Sequence, residues 1–421
     1  MKILHTSDWH LGRSLYGRKR HAEFTAFLDW LVATIAREHV DTLLVAGDIF
    51  DTSTPGNRAQ QLYYQFLCRV AASACRHVVI IAGNHDSPSF LAAPRELLKT
   101  LDIHVVGQAG EQLDEEILVL ENSQGVAELI VCAVPYLRDR DIRAAQAGES
   151  SEDKNRNLME GIRDHYAVVI ALARQKRAAA DAANDDTRNI PIVVMGHLFA
   201  AGGQTVDGDG VRELYVGSLA HVSAEIFPSD LDYVALGHLH VPQIVAGSDY
   251  KRYSGSPLPM GFGEAGQQKS ICVVEFSSDG KSSRLQPEVS LIPVPIFQQL
   301  VRIKGTWEHI AARLHELVAT ASQAWLEIIY EDDALISNLR VRVDTIVSGS
   351  ALEVLRIRNM PVIQRTLQQT RTGETLDDLS IEDVFARCLS ASAVPAEQHP
   401  ALLQTYQEAV ASLQQADSNA D

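Results

Sequence analysis

The sequence predicts an α/β fold with more than one domain, on two observations. Through its first two thirds the chain alternates short apolar runs with helical patterns, and after Gly280 its pattern changes. The runs are Ile3–Leu4, Thr42–Ala46, Val78–Ala82, Ile192–Met195 and Tyr233–Leu236, each short and rich in branched residues. Such runs suit buried strands. Helical patterns lie between several of them, for instance Glu23–Ala36 and Ala59–Ala71, and this alternation implies a core with some parallel pairing. At 421 residues the chain exceeds the usual size of one compact domain. It can bury a large core without staples.

Between Gly148 and Asn189 the composition shifts. Gly148–Asn157 reads as a polar loop. Leu158–Ala183, rich in Ala, Arg and Lys, reads as a long surface helix, and Asn184–Asn189 as another polar turn. A solvated insertion without chemistry is the favoured reading of this stretch. Further on, Pro287, Pro293 and Pro295 punctuate a linker. A strand (Gln299–Ile303), a helix (Trp307–Ala321), a strand (Trp325–Tyr330), a helix (Ala334–Val347) and a strand (Leu352–Arg358) then make a small βαβαβ unit. It lacks a His or carboxylate cluster of metal-binding type and reads as a separate accessory domain. After the polar segment 359–377, Ser380 begins a helix, with Asp383 resembling a capping box. Ile381, Val384, Phe385, Cys388 and Leu389 share one face. A second helix follows Pro400, with Leu403, Tyr406, Val410 and Leu413 at helical spacing. Two such helices must pack on the body of the protein or on a partner. The expected segments are 1–285, 286–360 and 361–421.

The net charge is -17, from 37 basic and 54 acidic residues. That balance argues against gripping nucleic acid by bulk charge alone, yet leaves a nucleic-acid substrate open, since bound cations and a basic partner can supply positive field. The five cysteines include no C-x-x-C. Idle thiols in a reducing cytosol are expected rather than a disulfide framework or a thiolate zinc site. The N-terminal residues enter an apolar strand at once, without a signal-peptide pattern. No run approaches the ~18 apolar residues of a membrane span.

Five clusters carry the chemistry: Asp8-Trp-His10, Gly47-Asp48-Ile-Phe-Asp51, Gly83-Asn84-His85-Asp86, Gly196-His197 and Gly237-His238-Leu-His240. Each directly follows a predicted strand, and the carboxyl ends of strands form the rim where α/β sheets bind ligands. Imidazole with carboxylate and amide oxygen is a mixed donor set for a pair of divalent cations, fitting manganese, iron or zinc. The glycines let the backbone turn tightly and approach the ions. A lone histidine is more often a satisfied polar residue, so His5, His21, His39, His77, His104 and His221 take that reading. Five clusters in this order resist it, because seven polar side chains at strand ends serve no core.

In order, D-x-H, G-D-x-x-D, G-N-H-D, G-H and G-H-x-H resemble the signature motifs of the calcineurin-like metallophosphoesterases, over residues 8 to 240. In detail, His5-Thr-Ser-Asp-Trp-His-Leu-Gly12, Val45-Ala-Gly-Asp-Ile-Phe-Asp-Thr52 and Ala82-Gly-Asn-His-Asp-Ser87 are similar to the bacterial nuclease subunits of that superfamily. The resemblance extends over essentially the whole chain. It implies a β-sandwich flanked by helices, a capping domain and C-terminal partner-binding helices. It also implies two divalent ions, with manganese the family expectation. Asp8, His10 and His240 would hold one ion, Asn84, His197 and His238 the other, and Asp48 would bridge both. His85 would stabilise the transition state and protonate the leaving oxygen, with the Asp51 carboxylate as its partner. Asp86 would orient its loop or cap a helix. The implied activity is cleavage of double-stranded DNA ends and hairpins in repair, recombination and replication. The implied partner is an ATPase subunit with a coiled coil, docked by the helices Ser380–Leu389 and Ala401–Gln415, around a homodimer within a heterotetramer. A cyclic-nucleotide phosphodiesterase or phosphoprotein phosphatase is the alternative on the same chemistry. The phosphatases carry Arg-Gly after G-D-x-x-D, where this chain has Thr52-Ser53. A non-catalytic scaffold would show a degraded ligand set, and no ligand is missing. The segment Tyr253–Pro257 is explained well enough by turn chemistry and stays outside the site.

Overall fold

The computed structural model describes residues 1–110, 112–142, 150–184, 190–200, 222–277, 286–332, 336, 338–360, 385, 389, 399 and 402–407. The chain divides into two compact units, Met1–Phe297 and Gln298–Asp421.

Two six-stranded sheets build the first unit. One has the order Gln286–Pro293, Ser270–Ser277, Lys2–Thr6, Thr42–Ala46, His77–Ile81, Ile103–Val106. Its last four strands run parallel, as the strand–helix alternation predicts. The other has the order Gln243–Val245, Ser248–Tyr253, Tyr233–Gly237, Ile192–His197, Ala127–Ala133, Ile117–Glu121. Because side chains alternate across a strand, each sheet presents two apolar faces. Ile3, Leu44, Val79 and Ile81 of the first sheet meet Val131, Val193, Met195 and Ala235 of the second in one buried cluster. The intervening residues Leu4, Leu43, Val45 and Ile80 pack on Phe24, Phe27, Leu31 and Phe66 of the helices His21–Glu38 and Asn57–Ala71. The result is a sandwich of helices, sheet, sheet and helix. Each fully buried side chain of this size stabilises the fold by roughly 1.5–3 kcal/mol.

Two sequence expectations need correction. The helix Ser151–Asn184 is not a solvated insertion. Leu158, Ile162, Tyr166, Val169, Ile170 and Ala173 recur at helical spacing and are buried against Cys132, Val194 and Val234 of the second sheet. Its Ala, Arg and Lys content conceals a narrow apolar stripe. The supposed linker holding Pro287 and Pro293 is an edge strand paired antiparallel with Ser270–Ser277. Proline is tolerated there because the outer side of an edge strand donates to no ladder. The first unit therefore runs to Phe297 rather than ending at residue 285.

The second unit holds a three-stranded parallel sheet, Leu300–Gly305, Trp325–Tyr330 and Glu353–Asn359. The helices Trp307–Ala319 and Leu339–Val347 lie between them in sequence, and Ile310, Leu314 and Val343 pack on Ile303, Leu326 and Ile328. On the middle strand Glu327 is fully buried, with Oε2 2.6 Å from Arg302 Nε and Oε1 3.2 Å from Arg356 Nη1. The expected helices Ser380–Leu389 and Ala401–Gln415 fall mostly outside the described residues. Within them the rings of Phe385 and Tyr406 stack with centroids 3.9 Å apart. Among the described residues no helix is long and apolar enough to cross a membrane.

Candidate metal centre

The five motifs sit where five strands end. Asp8 and His10 follow Lys2–Thr6, Asp48 follows Thr42–Ala46, and Asn84 and His85 follow His77–Ile81, all in the first sheet. His197 closes Ile192–His197, and His238 and His240 follow Tyr233–Gly237, in the second. Trp9 shows how the D-x-H spacing works. Its ring is fully buried edge-on to Phe27 and Phe66, at 6.0 and 5.2 Å, and its Nε1 donates to Thr6 Oγ1. With Trp9 fixed in the core, its two neighbours are left to the rim.

The backbone here is strained. Asp8, His10, Asp48 and His238 have φ of 53°, 48°, 50° and 105°. Each such non-glycine conformation costs about 1–3 kcal/mol and persists only where surroundings over-determine it. The surroundings are explicit: Asp8 N donates to Gly47 O, His10 N to Asp48 O, and His238 N to Asp8 Oδ1, at 3.0, 3.0 and 2.9 Å. Gly237 and Gly83 permit the close approach of segments. A Cβ on the first would overlap the Ala46 carbonyl, and one on the second the Asp48 amide and carboxylate.

The donors fall into two buried groups. Asp8, His10 and His240 each offer an atom within 4.8 Å of the others, and so do Asp48, His197 and His238. Asn84 joins the second group, its Oδ1 2.9 Å from His197 Nε2 and 3.3 Å from His238 Nδ1. Asp48 stands between the groups, its Oδ2 3.3 Å from His197 Nε2 and 3.7 Å from His10 Nε2. This donor set fits a pair of divalent cations. His10 Nε2 and His240 Nε2 face each other at 3.1 Å, and His238 Nε2 is buried without a hydrogen-bond partner. Burial pushes His10 down to about 4, and burial with the neighbouring His197 holds His238 well below the ordinary histidine range. For both rings that direction favours the neutral, ligating form. Burial also drives Asp8 up to about 6. At Asp48 burial works in the same direction, but the imidazoles of His197 and His10 overcome it and hold the carboxyl well below its usual range.

His85 and Asp51 meet differently from the expected carboxylate pair. His85 Nδ1 donates to the main-chain carbonyl of Asp51 at 2.7 Å, and His85 N to Asp48 Oδ1 at 2.9 Å. The Asp51 carboxylate turns to His10 Nδ1 at 3.4 Å and Arg13 Nη1 at 3.1 Å. Asp86 caps no helix, since Ser87 does that for Pro88–Ala92. Its carboxylate accepts from the amides of Ile49, Phe50 and Gly83 and so ties two motif loops together.

Sequence reasoning missed a second layer of residues. Glu264, fully buried, places Oε1 3.2 Å from His240 Nδ1, while Oε2 accepts from Met260 N and Ser256 Oγ and pairs with Lys269. Lys269 Nζ also donates to the His240 carbonyl at 2.9 Å. A carboxylate behind a ligating histidine fixes its tautomer and orientation. Ser254 lies 2.8 Å from Ser7, whose hydroxyl donates to Asp8 Oδ2. The turn Tyr253–Pro257 therefore supports the rim, and its serines were the available signal.

Comparison with known proteins agrees with this geometry. A family model described as calcineurin-like phosphoesterase matches residues 1–242, the class that the sandwich and its rim define. Another, described as type 5 capsule protein repressor C-terminal domain, matches residues 296–393. Over 404 residues the chain is 35% identical to the SbcD component of the nuclease SbcCD from Escherichia coli K12, covering 96% of each protein. It is 34% identical to the SbcD component from Rhodobacter capsulatus, over 85% of this chain and 86% of that protein. To that of Bacillus subtilis it is 36% identical, over 65% and 66%. The chain belongs to the SbcD family of calcineurin-like phosphoesterases.

Proposed function

We propose that this chain is the nuclease subunit of an SbcCD-type complex, a metal-dependent phosphodiester hydrolase acting on double-stranded DNA ends and hairpins. The observation that carries the reading is one carboxylate oxygen, Asp48 Oδ2, facing His197 of one donor group and His10 of the other. Asp8, His10 and His240 would hold one cation and Asn84, His197 and His238 the second, with Asp48 shared between the two groups. Manganese is the favoured metal. The bound cations supply Lewis acidity toward the phosphate and an activated water for hydrolysis.

The protein's own groups do the rest. The rim loops, tied by Asp86, hold the donors in fixed positions, so little reorganisation accompanies the reaction. His85 keeps Nδ1–H on the Asp51 carbonyl; in its doubly protonated form it presents Nε2–H to the leaving oxygen, gives up that proton and returns to the neutral ring. The Asp51 carboxylate keeps His10 and Arg13 in place. The unit around residues 300–359 takes the part of the family's capping domain. The segment 361–421, with the expected helices Ser380–Leu389 and Ala401–Gln415, docks on an SbcC-type ATPase, and the protein works as a homodimer within a heterotetramer. Its setting is the cytoplasm, on nucleoid DNA undergoing repair, recombination and replication. The acidic balance suits a protein that does not hold DNA unaided.

The test is cleavage of a DNA hairpin with manganese, with and without the ATPase subunit, beside a cyclic nucleotide as control substrate. Cleavage of the hairpin supports the proposal. Turnover of the cyclic nucleotide with an intact hairpin overturns it.

A further inference from the structure

A second cluster of metal-binding type lies away from the rim. His77 opens the strand His77–Ile81, which carries Asn84 and His85 beyond its other end. Beside it runs Ile103–Val106, with Val78 opposite Ile103 and Val79 opposite His104. This register and the two-residue repeat of strands put His77, Asp102 and His104 on one face. Each of the three offers a donor atom within 4.8 Å of the others. They line an open groove of about 630 Å³.

The state of each side chain suits ligation. His77 is 8% exposed, and its Nε2 lies 2.8 Å from the carbonyl of Glu121. A carbonyl only accepts, so Nε2 carries the proton and the lone pair falls on Nδ1. That Nδ1 is buried with no hydrogen-bond partner. An imidazole held by a carbonyl at one nitrogen and free at the other is the arrangement that metal-ligating histidines adopt. Asp102, held in the left-handed region at φ 55°, is anchored by its main chain, which accepts from Val78 N and donates to Lys99 O. Its carboxylate is exposed. Burial, then the neighbouring His77, push His104 below the ordinary histidine range, which favours its neutral form.

We propose that His77, Asp102 and His104 form a metal site of their own, taking one borderline divalent cation of the zinc class. Two imidazoles and one carboxylate are a three-ligand zinc set that leaves a fourth position for water. Because Glu121 belongs to the second sheet, a cation here braces the edge of the sandwich through His77.

The test is equilibrium dialysis of the full chain against Zn²⁺ alone, with metal counted per chain, for the wild type, His104→Ala and Asp102→Asn. Asn tolerates the left-handed backbone, and Asp102 is exposed, so the second variant guards against a folding defect in the first. Both variants are expected to hold one equivalent fewer than the wild type and to lose part of the zinc-induced rise in melting temperature. Manganese-dependent hairpin cleavage should be unchanged in both. Equal zinc content in the wild type and both variants overturns the site. The reading is the difference of one equivalent, so it stands or falls separately from the occupancy of the rim and from nuclease activity.

Discussion

The two ends of the first sheet treat polar groups in opposite ways. At the carboxyl ends, strands from both sheets deliver buried histidines and carboxylates whose lone pairs face one another. At the amino ends, Asp41 accepts from Lys2 N at 2.8 Å and from Arg76 Nη1 at 2.8 Å, and these side chains are partly exposed and matched to opposites. Left-handed residues occur at both ends but for different reasons. His39 is a helix C-cap and Asp102 closes the turn after Arg95–Lys99, both ordinary uses. Asp8, His10 and Asp48 sit in no such turn and are held by hydrogen bonds between motif loops. Strain held between motif loops and facing donors mark the first end as chemistry; at the second the left-handed residues close ordinary turns and the Asp41 pairs act as scaffolding, although His77 Nδ1, Arg76 Nε and Thr42 Oγ1 are unmatched there.

The comparison breaks if the rim proves dispensable. Asp48→Asn is expected to lower manganese-dependent cleavage on the order of 10³-fold, the scale of losing one group that stabilises developing charge. A steady-state assay at saturating metal checks it. The supporting layer should give a smaller effect of another kind. Glu264→Gln removes the carboxylate behind His240 and should weaken manganese affinity about 10–100-fold, with activity recovering as metal is added. A titration of activity against manganese separates that from a loss of turnover.

This layering explains what the sequence revealed. The rim was legible because each cluster follows an apolar run, four of the five opening on a glycine, and because close approach at Gly83 and Gly237 leaves no choice of residue. Glu264 and Lys269 were not legible, since they support the site from a 3₁₀ turn and from the residue before a strand, with no motif around them. The helix Ser151–Asn184 was misread because, among its described residues, six buried positions distinguish it from a solvated one. The strand Gln286–Pro293 was misread because proline was weighed without knowing it would lie at an edge. The Asp51–His85 contact was expected through the wrong atom. Residue identity points to a carboxylate, whereas the main-chain carbonyl is what the loop presents.

Asp51→Asn sharpens that last point. The variant keeps the carbonyl that His85 uses and loses only the charge beside His10 and Arg13. Turnover should fall by about 10-fold with metal content retained, which metal analysis of the purified variant would establish. A different probe is His5, which lies fully buried between the sheets with Nδ1 3.0 Å from the Tyr233 hydroxyl. Burial pushes it down to about 3 from an unfolded value near 6.5. Between those values the unfolded chain binds a proton that the folded chain does not. Its contribution to stability is therefore complete above about pH 6.5, declines as pH falls, and levels off below about 3. The slope approaches ~1.4 kcal/mol per pH unit. Denaturant midpoints of His5→Phe should fall less steeply with acid than those of the wild type.

The smallest effect is expected at the amino end. Arg76 joins the two sheets there, pairing with Asp41 beside the first and Glu128 of the second. Its side chain is 29% exposed and its partners 25% and 20%, so solvent screens both pairs. Arg76→Ala should then cost about 0.5–1 kcal/mol of stability, the usual worth of such a pair, and leave cleavage within about twofold. Chemical denaturation and the hairpin assay on one preparation give both numbers. The contrast between the ends depends on the second. The strand after Arg76 runs directly to Asn84 and His85, so a packed and rigid strand could in principle transmit a disturbance along its length. If the substitution slowed cleavage tenfold while costing only the stability of a surface pair, the amino end would be part of the catalytic device. If cleavage holds, the rim's geometry is fixed locally by its own loops, by the Asp86 carboxylate and by Glu264, and the far end of the sheet bears only on stability.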